Sequence, residues 1–162
     1  MLRMPQTYRR TRKRILCIED DRESARLIAE ELLDWGFDVD IAYNGHEGIA
    51  AIERGQPDLV LCDICMPGIS GFDVLQRLRE LGPRLRKTHF VFLTALTEVD
   101  NQLKGRQFGA DDYIIKPIEF DVLVKIITAG LATESDAAIG PMDVIGTTNL
   151  RMSLGECERV PQ

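Results

Sequence analysis

The feature that most constrains this sequence is a regular alternation of short apolar runs with longer amphipathic segments over residues 14–131. Runs of four to six mostly apolar residues are typical of buried β-strands, whereas apolar residues spaced three and four apart are typical of helices. The apolar runs are continuous rather than alternating, which indicates that helices cover both faces of the sheet. Because crossovers between parallel strands are right-handed, the pattern predicts an α/β fold with a doubly wound, five-stranded parallel sheet.

The predicted elements alternate strictly along the chain. The five strands cover residues 14–19, 38–42, 58–62, 89–93 and 112–115. The five helices cover residues 23–35, 45–54, 71–81, 98–108 and 119–131, of which 98–108 has a weak pattern with Gly105 inside it. Helical spacing places these residues on inward faces: Ala25, Ile28, Leu32 and Leu33; Val74, Leu75 and Leu78; Val122, Leu123, Ile126 and Ile127.

The two ends of the chain differ from this central region. Residues 1–13 are predicted to form a flexible basic leader, with contact to an anionic surface as the functional alternative, since residues 1–14 carry six basic groups and no acid. Residues 132–162 are rich in Gly, Ser, Thr and acids, and are predicted to form a flexible tail without a recognisable output domain. The folded domain is therefore expected to occupy residues 14–131.

Composition and charge restrict the class of protein further. Apolar residues make up 44% of the 162 residues and charged residues 28%, as in soluble globular proteins. No apolar run is long enough to cross a membrane, and the basic N-terminus lacks the apolar segment of a secretory signal, so the sequence predicts a cytoplasmic protein without a membrane contact. The net charge of −6 argues against direct nucleic-acid binding, because phosphates would be repelled.

Cys62 and Cys65 form a C-x-x-C pair. Such a pair could belong to a redox centre or to half of a zinc site. However, Cys62 lies inside an apolar run, and neither a second C-x-x-C nor a pair of histidines follows. Two small residues near a strand end are the favoured interpretation.

Polar side chains follow four of the predicted strands. They are Glu19, Asp20 and Asp21 after the first strand, Asp63 after the third, Thr94 after the fourth and Lys116 after the fifth. The carboxyl ends of parallel strands lie at one edge of a sheet, where α/β proteins bind their ligands. Carboxylates that converge there repel one another unless a cation joins them. Mg²⁺ prefers oxygen ligands and leaves room for phosphate oxygens and water, so the sequence predicts a magnesium site at this edge.

The same residues lie in runs that resemble the receiver domain of two-component response regulators. The matching runs are 15–21 (ILCIEDD), 63–67 (DICMP) followed by Gly71, 94–95 (TA) and 109–117 (GADDYIIKP). The resemblance covers about residues 14–131, and the spacing between the runs also fits. It implies the flavodoxin-like strand order 2-1-3-4-5 of single-domain, chemotaxis-regulator-like proteins.

The resemblance also implies a metal site. Asp20 resembles a direct ligand of Mg²⁺, for which Mn²⁺ is expected to substitute, and Glu19 would assist directly or through water. Asp63 and the backbone carbonyl of Cys65 would complete the protein's ligands. Asp21 instead is expected to be an acid at a helix N-terminus, where the helix dipole favours negative charge.

A phosphoryl-transfer chemistry follows from the same resemblance. Asp63 resembles the phospho-acceptor, whose carboxylate attacks phosphorus. Lys116 would pair with Asp63 and then with a phosphoryl oxygen, and Thr94 would hydrogen-bond another phosphoryl oxygen. Tyr113 resembles an aromatic residue that turns between exposed and buried positions in response to phosphate, although a half-buried strand tyrosine explains it equally well.

The partners implied by the resemblance are proteins. A histidine kinase or a histidine phosphotransfer protein would supply the phosphoryl group. A downstream protein would bind the face formed by helix 98–108, strand 112–115 and helix 119–131, and a homodimer is compatible with the sequence. Such a protein is a self-phosphorylating switch rather than an enzyme. Self-dephosphorylation is expected to be slow, because Cys65 and Leu96 occupy the positions that influence water access in this family.

Three alternatives compete with this interpretation. A phosphohydrolase with a nucleophilic aspartate would need a second aspartate where this chain has Cys65. A nucleotide- or flavin-binding module would need a glycine-rich or hydroxyl-rich loop where the chain has Glu19, Asp20 and Asp21. A receiver-like interaction module that works without phosphorylation remains the main alternative.

Overall fold

The computed structural model describes residues 12–95 and 109–132. The predicted helix 98–108, Leu96, and all but the innermost residues of the leader and the tail lie outside the described residues. No helix in the described part of the chain is long and apolar enough to cross a membrane.

The structure contains a parallel sheet whose strands line up at their carboxyl ends. The strands are β1 (Arg14–Ile18), β2 (Asp38–Ala42), β3 (Leu59–Asp63), β4 (His89–Thr94) and β5 (Asp112–Ile115), in the order β2-β1-β3-β4-β5. Every neighbouring pair is parallel. This arrangement confirms the predicted doubly wound, flavodoxin-like fold with strand order 2-1-3-4-5.

Side-chain caps fix the start of three of the helices in the described residues. The helices are α1 (Arg22–Asp34), α2 (Gly45–Gly55), α3 (Gly71–Glu80) and α4 (Phe120–Leu131), and a short 3-10 turn covers Leu85–Lys87. The carboxylate of Asp21 accepts hydrogen bonds from the first amides of α1, which confirms its predicted place at a helix N-terminus. The side chain of Asn44 caps α2 in the same way, and Ser70 forms a reciprocal capping box at α3.

The core has one layer on each face of the sheet. Helices α2 and α3 pack on one face and bury Ile52, Val74, Leu75 and Leu78 against it. Helices α1 and α4 pack on the other face and bury Ile28, Leu32, Leu123 and Ile127. Strand β3 is buried at all five positions, and β1 and β4 are buried at all but their first residues. Both faces of the central strands are therefore covered, as their continuous apolar sequence predicted.

Two of the predicted inward residues point elsewhere. Leu33 is 50% exposed and Val122 is 40% exposed, so both predictions were wrong. Each residue lies one position, or about 100° of helical rotation, from a residue that is fully buried, Leu32 or Leu123. Ile126 is only half-buried, whereas the other predicted inward residues of α1, α3 and α4 are buried.

Candidate functional site

The carboxyl edge of the sheet holds the side chains that the sequence predicted to act together. Glu19 follows β1, Asp63 ends β3, Thr94 ends β4 and Lys116 follows β5. Strand-like pairing continues one step past the strands, because the Glu19 amide donates to the carbonyl of Ala42 at 3.0 Å and the Lys116 amide donates to that of Thr94 at 2.7 Å. The backbone thus fixes where each functional side chain leaves the sheet.

Three carboxylates meet at this edge. One oxygen from each of Glu19, Asp20 and Asp63 lies within 4.8 Å of the others. Glu19 is 1% exposed and Asp63 is 7% exposed, whereas Asp20 is exposed. The cluster therefore has a buried side and one side open to solvent.

Lys116 supplies the positive charge on the buried side. Its Nζ lies 2.6 Å from Oε2 of Glu19 and 3.2 Å from Oδ2 of Asp63. The sequence predicted a pair with Asp63, and the structure adds a shorter contact with Glu19. Each carboxylate also accepts a hydrogen bond from a backbone amide. The Asp21 amide donates to Oε1 of Glu19 at 3.2 Å, and the Cys65 amide donates to Oδ1 of Asp63 at 3.3 Å.

Burial and mutual repulsion set the protonation of the cluster. Burial raises the pKa of Glu19 to about 7, and the charge of Asp63 acts in the same direction, while the hydrogen bond from Lys116 opposes both. Burial also raises the pKa of Asp63, against the charge and the hydrogen bond of Lys116. For Lys116, burial lowers the pKa, but the hydrogen bond that it donates to Glu19 and the charges of both carboxylates outweigh burial and raise the pKa. One lysine therefore does not neutralise the cluster, and a further cation would be stabilised there.

The donor set fits a hard divalent cation. Mg²⁺ is bound in proteins by one or two carboxylates and keeps several water or phosphate oxygens. Glu19, Asp20 and Asp63 supply carboxylate oxygens at a partly open position. Cys65 is exposed, lies two residues beyond Asp63, and presents its amide to that carboxylate. The role of its carbonyl as a ligand stays a prediction.

A glycine allows helix α3 to begin directly beside the end of β3. The amide of Gly71 donates to the carbonyl of Ile64 at 2.9 Å. A Cβ atom at Gly71 would lie 2.4 Å from the carbonyl oxygen of Asp63 and 2.9 Å from Cα of Ile64. No side chain fits in that space, so the glycine holds the strand end that carries Asp63 close to the helix. From the sequence, Gly71 was noted as part of the family resemblance and as the first residue of a predicted helix. No physical role was predicted for it.

Thr94 and Tyr113 occupy the other predicted positions. Thr94 is 1% exposed at the end of β4. Tyr113 is half-buried in β5, with its ring centroid 5.6 Å from that of Phe92 in the core. This position agrees with the simpler interpretation of a strand tyrosine, and the switching role of Tyr113 stays a prediction.

A polar network that the sequence did not reveal fixes the start of β5. The Arg79 guanidinium at the end of α3 donates to the carbonyls of Thr88 at 3.1 Å and Gly109 at 2.8 Å. Asp111 accepts a hydrogen bond from the amide of Phe90 at 2.7 Å. Because Arg79 and Gly109 are 30 residues apart, no local pattern in the sequence could have predicted the contact. The network holds the segment that leads, through β5, to Lys116.

Comparison with known families gives a match over most of the folded region. The family described as the response regulator receiver domain matches residues 15–128. Its match includes all seven of the residues to which the sequence assigned a site role.

Full-length relatives are longer than this chain. The transcriptional regulatory protein PcoR of Escherichia coli is 38% identical over 112 residues, which are 69% of this chain and 48% of PcoR. The transcriptional regulatory protein DltR of Streptococcus agalactiae is 43% identical over 111 residues, which are 68% of this chain and 48% of DltR. The chain therefore spans about half the length of these relatives.

Solved structures of similar proteins share the fold. A response regulator from Chloroflexus aurantiacus has a TM-score of 0.71 and 30% identity, and the match covers 75% of this chain and 99% of that one. TrrA from Thermotoga maritima, a response regulator solved in complex with Mg²⁺-BeF, has a TM-score of 0.66 and 34% identity, with 74% and 99% covered. The chemotaxis protein CheY4 of Vibrio cholerae, with a TM-score of 0.71, 24% identity and coverage of 74% and 99%, supports the fold alone.

Proposed function

This chain belongs to the receiver domain family of response regulators, and on that premise we propose that it takes a phosphoryl group onto Asp63 in a reaction that requires Mg²⁺. The observation that carries the proposal is the meeting of three carboxylates with one lysine at the carboxyl edge of the sheet. A histidine kinase or a histidine phosphotransfer protein would be the donor. The domain that performs this reaction would extend over residues 14–131.

The acceptor step is a displacement at phosphorus. An oxygen of Asp63 attacks the phosphorus of the donor phosphohistidine, the phosphorus–nitrogen bond breaks, and the histidine keeps the electron pair and takes up a proton. The product is an acyl phosphate on Asp63. Lys116 contacts one oxygen of this carboxylate, and the amide of Cys65 contacts the other. Together the two contacts orient the carboxylate before attack.

Charge neutralisation is the main contribution of the site. When bound, Mg²⁺ would offset the charge that develops on the transferring phosphoryl oxygens. Asp20, Glu19, Asp63 and the backbone carbonyl of Cys65 would hold it, and Mn²⁺ would serve in its place. The raised pKa values of Glu19 and Asp63 support this role, since burial, together with the charge of a neighbouring carboxylate, outweighs the effect of Lys116 and disfavours the ionised forms that a cation would stabilise.

After transfer, Lys116 and Thr94 would hold the phosphoryl group. Because Lys116 contacts both carboxylates, it would exchange Asp63 for a phosphoryl oxygen while keeping its contact with Glu19. The Thr94 hydroxyl would donate to a phosphoryl oxygen, and Tyr113 would respond by changing its packing against Phe92. The signal would pass to a protein target through the surface that includes β5 and α4.

The phosphoryl group is expected to be long-lived. Cys65, beside the acceptor, lacks the amide or carboxylate that would orient an attacking water, and Leu96 adds none. We expect the isolated phosphoprotein to persist for minutes or longer in the absence of a phosphatase. Decay within seconds, followed by intact mass after removal of the donor, would contradict this expectation.

The first test is chemical phosphorylation. Purified protein is incubated with Mg²⁺ and acetyl phosphate, and its intact mass is compared with that of an Asp63→Asn variant. We expect a single phosphoryl adduct that disappears without divalent metal and in the variant. Failure with acetyl phosphate and with a phosphorylated kinase would favour an interaction module that works without phosphorylation.

A further inference from the structure

The described residues form a cleft at the end of the sheet opposite the carboxylate cluster. It has a volume of about 460 Å³ and lies where β3 and β4 begin. This volume falls in the range of small-molecule pockets, roughly 300–1,000 Å³. Asp63 lies at the opposite end of β3, about 13 Å away along the strand, so the cleft is separate from the carboxylate cluster.

The cleft is lined by three buried residues and five exposed ones. Pro57, Leu85 and Thr88 line it and are buried. The hydroxyl of Thr88 donates to the carbonyl of Pro57 at 3.3 Å and joins the segment before β3 to the segment before β4. Gln56, also in the lining, has a left-handed backbone with φ of 45°, a conformation that favours glycine. As an exposed lining residue, Gln56 has a side-chain amide that can donate or accept a hydrogen bond.

Two basic side chains line the same cleft. Arg84 and Lys87 are three residues apart at a 3-10 turn, in which residues three apart lie on the same side. Leu85 anchors the turn in the core. Arg86, between them, lies outside the lining, and its Nε donates to the carbonyl of Arg79 at 3.3 Å. Of the three basic residues in the segment 84–87, two therefore line the cleft.

Protein charges neutralise this pair only in part. Within residues 12–95 and 109–132, neither Arg84 nor Lys87 makes an ion pair. Asp58 is the acid of the lining, and its Oδ2 accepts a hydrogen bond from the backbone amide of Arg14 at 2.8 Å. The cleft thus keeps a net positive charge in a chain whose total is −6, which favours an anionic ligand.

We propose that this cleft, here called the basic cleft, binds a small phosphate ester. A guanidinium binds phosphate oxygens in pairs and an ammonium adds a point charge, so Arg84 and Lys87 would hold the phosphate between them. Pro57, Pro83 and Leu85 would contact the organic part of the ligand. The proposal is independent of phosphorylation at Asp63.

Nuclear magnetic resonance can locate the binding. The 162-residue chain, without divalent metal, is titrated with AMP and, separately, with inorganic phosphate. We expect saturable shifts in the backbone amides of Gln56, Asp58 and residues 84–88, with AMP binding more tightly than phosphate. Shifts confined to residues 19–20 and 63–65, or no saturable shift at millimolar ligand, would overturn the proposal. Equal affinity for AMP and phosphate would overturn the assignment to an ester.

A pair of double variants tests the role of charge. Arg84→Gln with Lys87→Gln should weaken AMP binding by about tenfold or more, because two charge-assisted contacts are lost. The control, Arg26→Gln with Lys125→Gln, removes the same charge from exposed positions on α1 and α4 and should leave the affinity unchanged. Equal weakening in both would show general attraction and contradict the proposal, as would unchanged binding in the first. Both variants should still form the acetyl phosphate adduct, which separates this site from the one at Asp63.

Discussion

Glu19 and Lys116 form the shortest ion pair in the described residues, at 2.6 Å between Oε2 and Nζ. Glu19 is nevertheless hard to ionise, because burial and the charge of Asp63 outweigh this contact and raise its pKa from 4.5 to about 7. In the metal-free protein the ionised carboxylate is therefore a source of instability. This residue ties the stability of the fold to the charge of the site.

The direction of the pH dependence follows from this raised pKa. A group that binds its proton more tightly in the folded state stabilises the fold fully below its unfolded pKa and loses that contribution as the pH rises through its folded pKa. For Glu19 the loss runs from about pH 4.5 to about pH 7. In metal-free protein, Glu19→Gln should reduce this loss by about 1–3 kcal/mol, since one pKa unit corresponds to about 1.4 kcal/mol.

Chemical denaturation at pH 5 and pH 8 measures this effect. Glu30→Gln, on the exposed surface of α1, is the control and should follow the parent protein. If Glu19→Gln and the parent lost equal stability between the two pH values, the role assigned to Glu19 would be wrong.

Gly71 provides a second prediction for a single residue. A methyl group there would meet backbone atoms of Asp63 and Ile64, which cannot move away as a flexible side chain can. Gly71→Ala should cost about 1–3 kcal/mol of stability, the usual range for overpacking, and should slow phosphorylation by acetyl phosphate because the strand end shifts.

Gly130 differs from Gly71 because the atoms that crowd it belong to a side chain and not to the backbone. Its added Cβ would lie 2.5 Å from ring atoms of His89, a side chain that can be removed. Gly130→Ala should therefore be destabilising alone and regain stability when combined with His89→Ala, as a thermal unfolding cycle would show.

The Gly71 prediction has its own contrary outcome. If Gly71→Ala left both the stability and the rate of phosphorylation unchanged, the close approach of α3 to β3 would not be required.

At the scale of elements, β5 depends on contacts made before it begins. Arg79 from α3 binds the carbonyl of Gly109, and Asp111 binds the amide of Phe90 at the start of β4. Strand β5 has four residues and lies at the edge of the sheet, so it has one neighbouring strand to hold it. These side-chain contacts compensate for the pairing that an edge strand lacks.

Removal of Asp111 should loosen this region. Asp111→Ala leaves the amide of Phe90 without its side-chain acceptor, which should cost about 1–3 kcal/mol and speed hydrogen exchange at that amide. Asp112→Ala is the matched control, because the Asp112 carboxylate accepts from the adjacent amide of Tyr113 and joins no second strand. Equal exchange at Phe90 in both variants would rule out the role assigned to Asp111.

The elements also show which parts of the structure are encoded locally. The strand ends that carry Glu19, Asp63 and Thr94 were predictable because each follows a continuous apolar run. The inward faces of α1 and α4 were predicted less well at Leu33 and Val122, because adjacent apolar residues make a wide stripe whose edges depend on how the helix rotates against the sheet.

For the site, the sequence predicted which residues take part better than it predicted which of them are in contact. The sequence predicted that Lys116 joins a carboxylate at the sheet edge. It could not predict that the nearest is Glu19, since this depends on the relative height of β1, β3 and β5 in the sheet. The contacts of Arg79 were missed for a similar reason, because they join segments that are distant in sequence.

For the molecule as a whole, the carboxylate cluster links metal binding to folding. Three acids gather around one lysine at one edge of the sheet, and the unfolded chain does not hold them together. A ligand that binds the folded state alone raises the free energy of unfolding, by about 2.7 kcal/mol at a concentration one hundred times its dissociation constant.

Mg²⁺ should therefore raise the melting temperature, and Asp20→Asn should remove most of that increase while leaving the metal-free protein folded. Asp34→Asn, which changes an exposed acid at the end of α1, should keep the full increase. Thermal unfolding with and without Mg²⁺ provides the comparison. An undiminished increase in Asp20→Asn would exclude Asp20 as a ligand.

The strand order has one more consequence, for the way the site would come apart. Glu19 and Asp63 leave strands that have a neighbour on each side, and Thr94 leaves β4, which lies between β3 and β5, whereas Lys116 follows the edge strand β5. Local opening of a fold begins where the fewest contacts must break. Fraying would therefore carry Lys116 away from the cluster first, and the unneutralised charge of the carboxylates would then draw back the lysine or draw in a metal ion in its place.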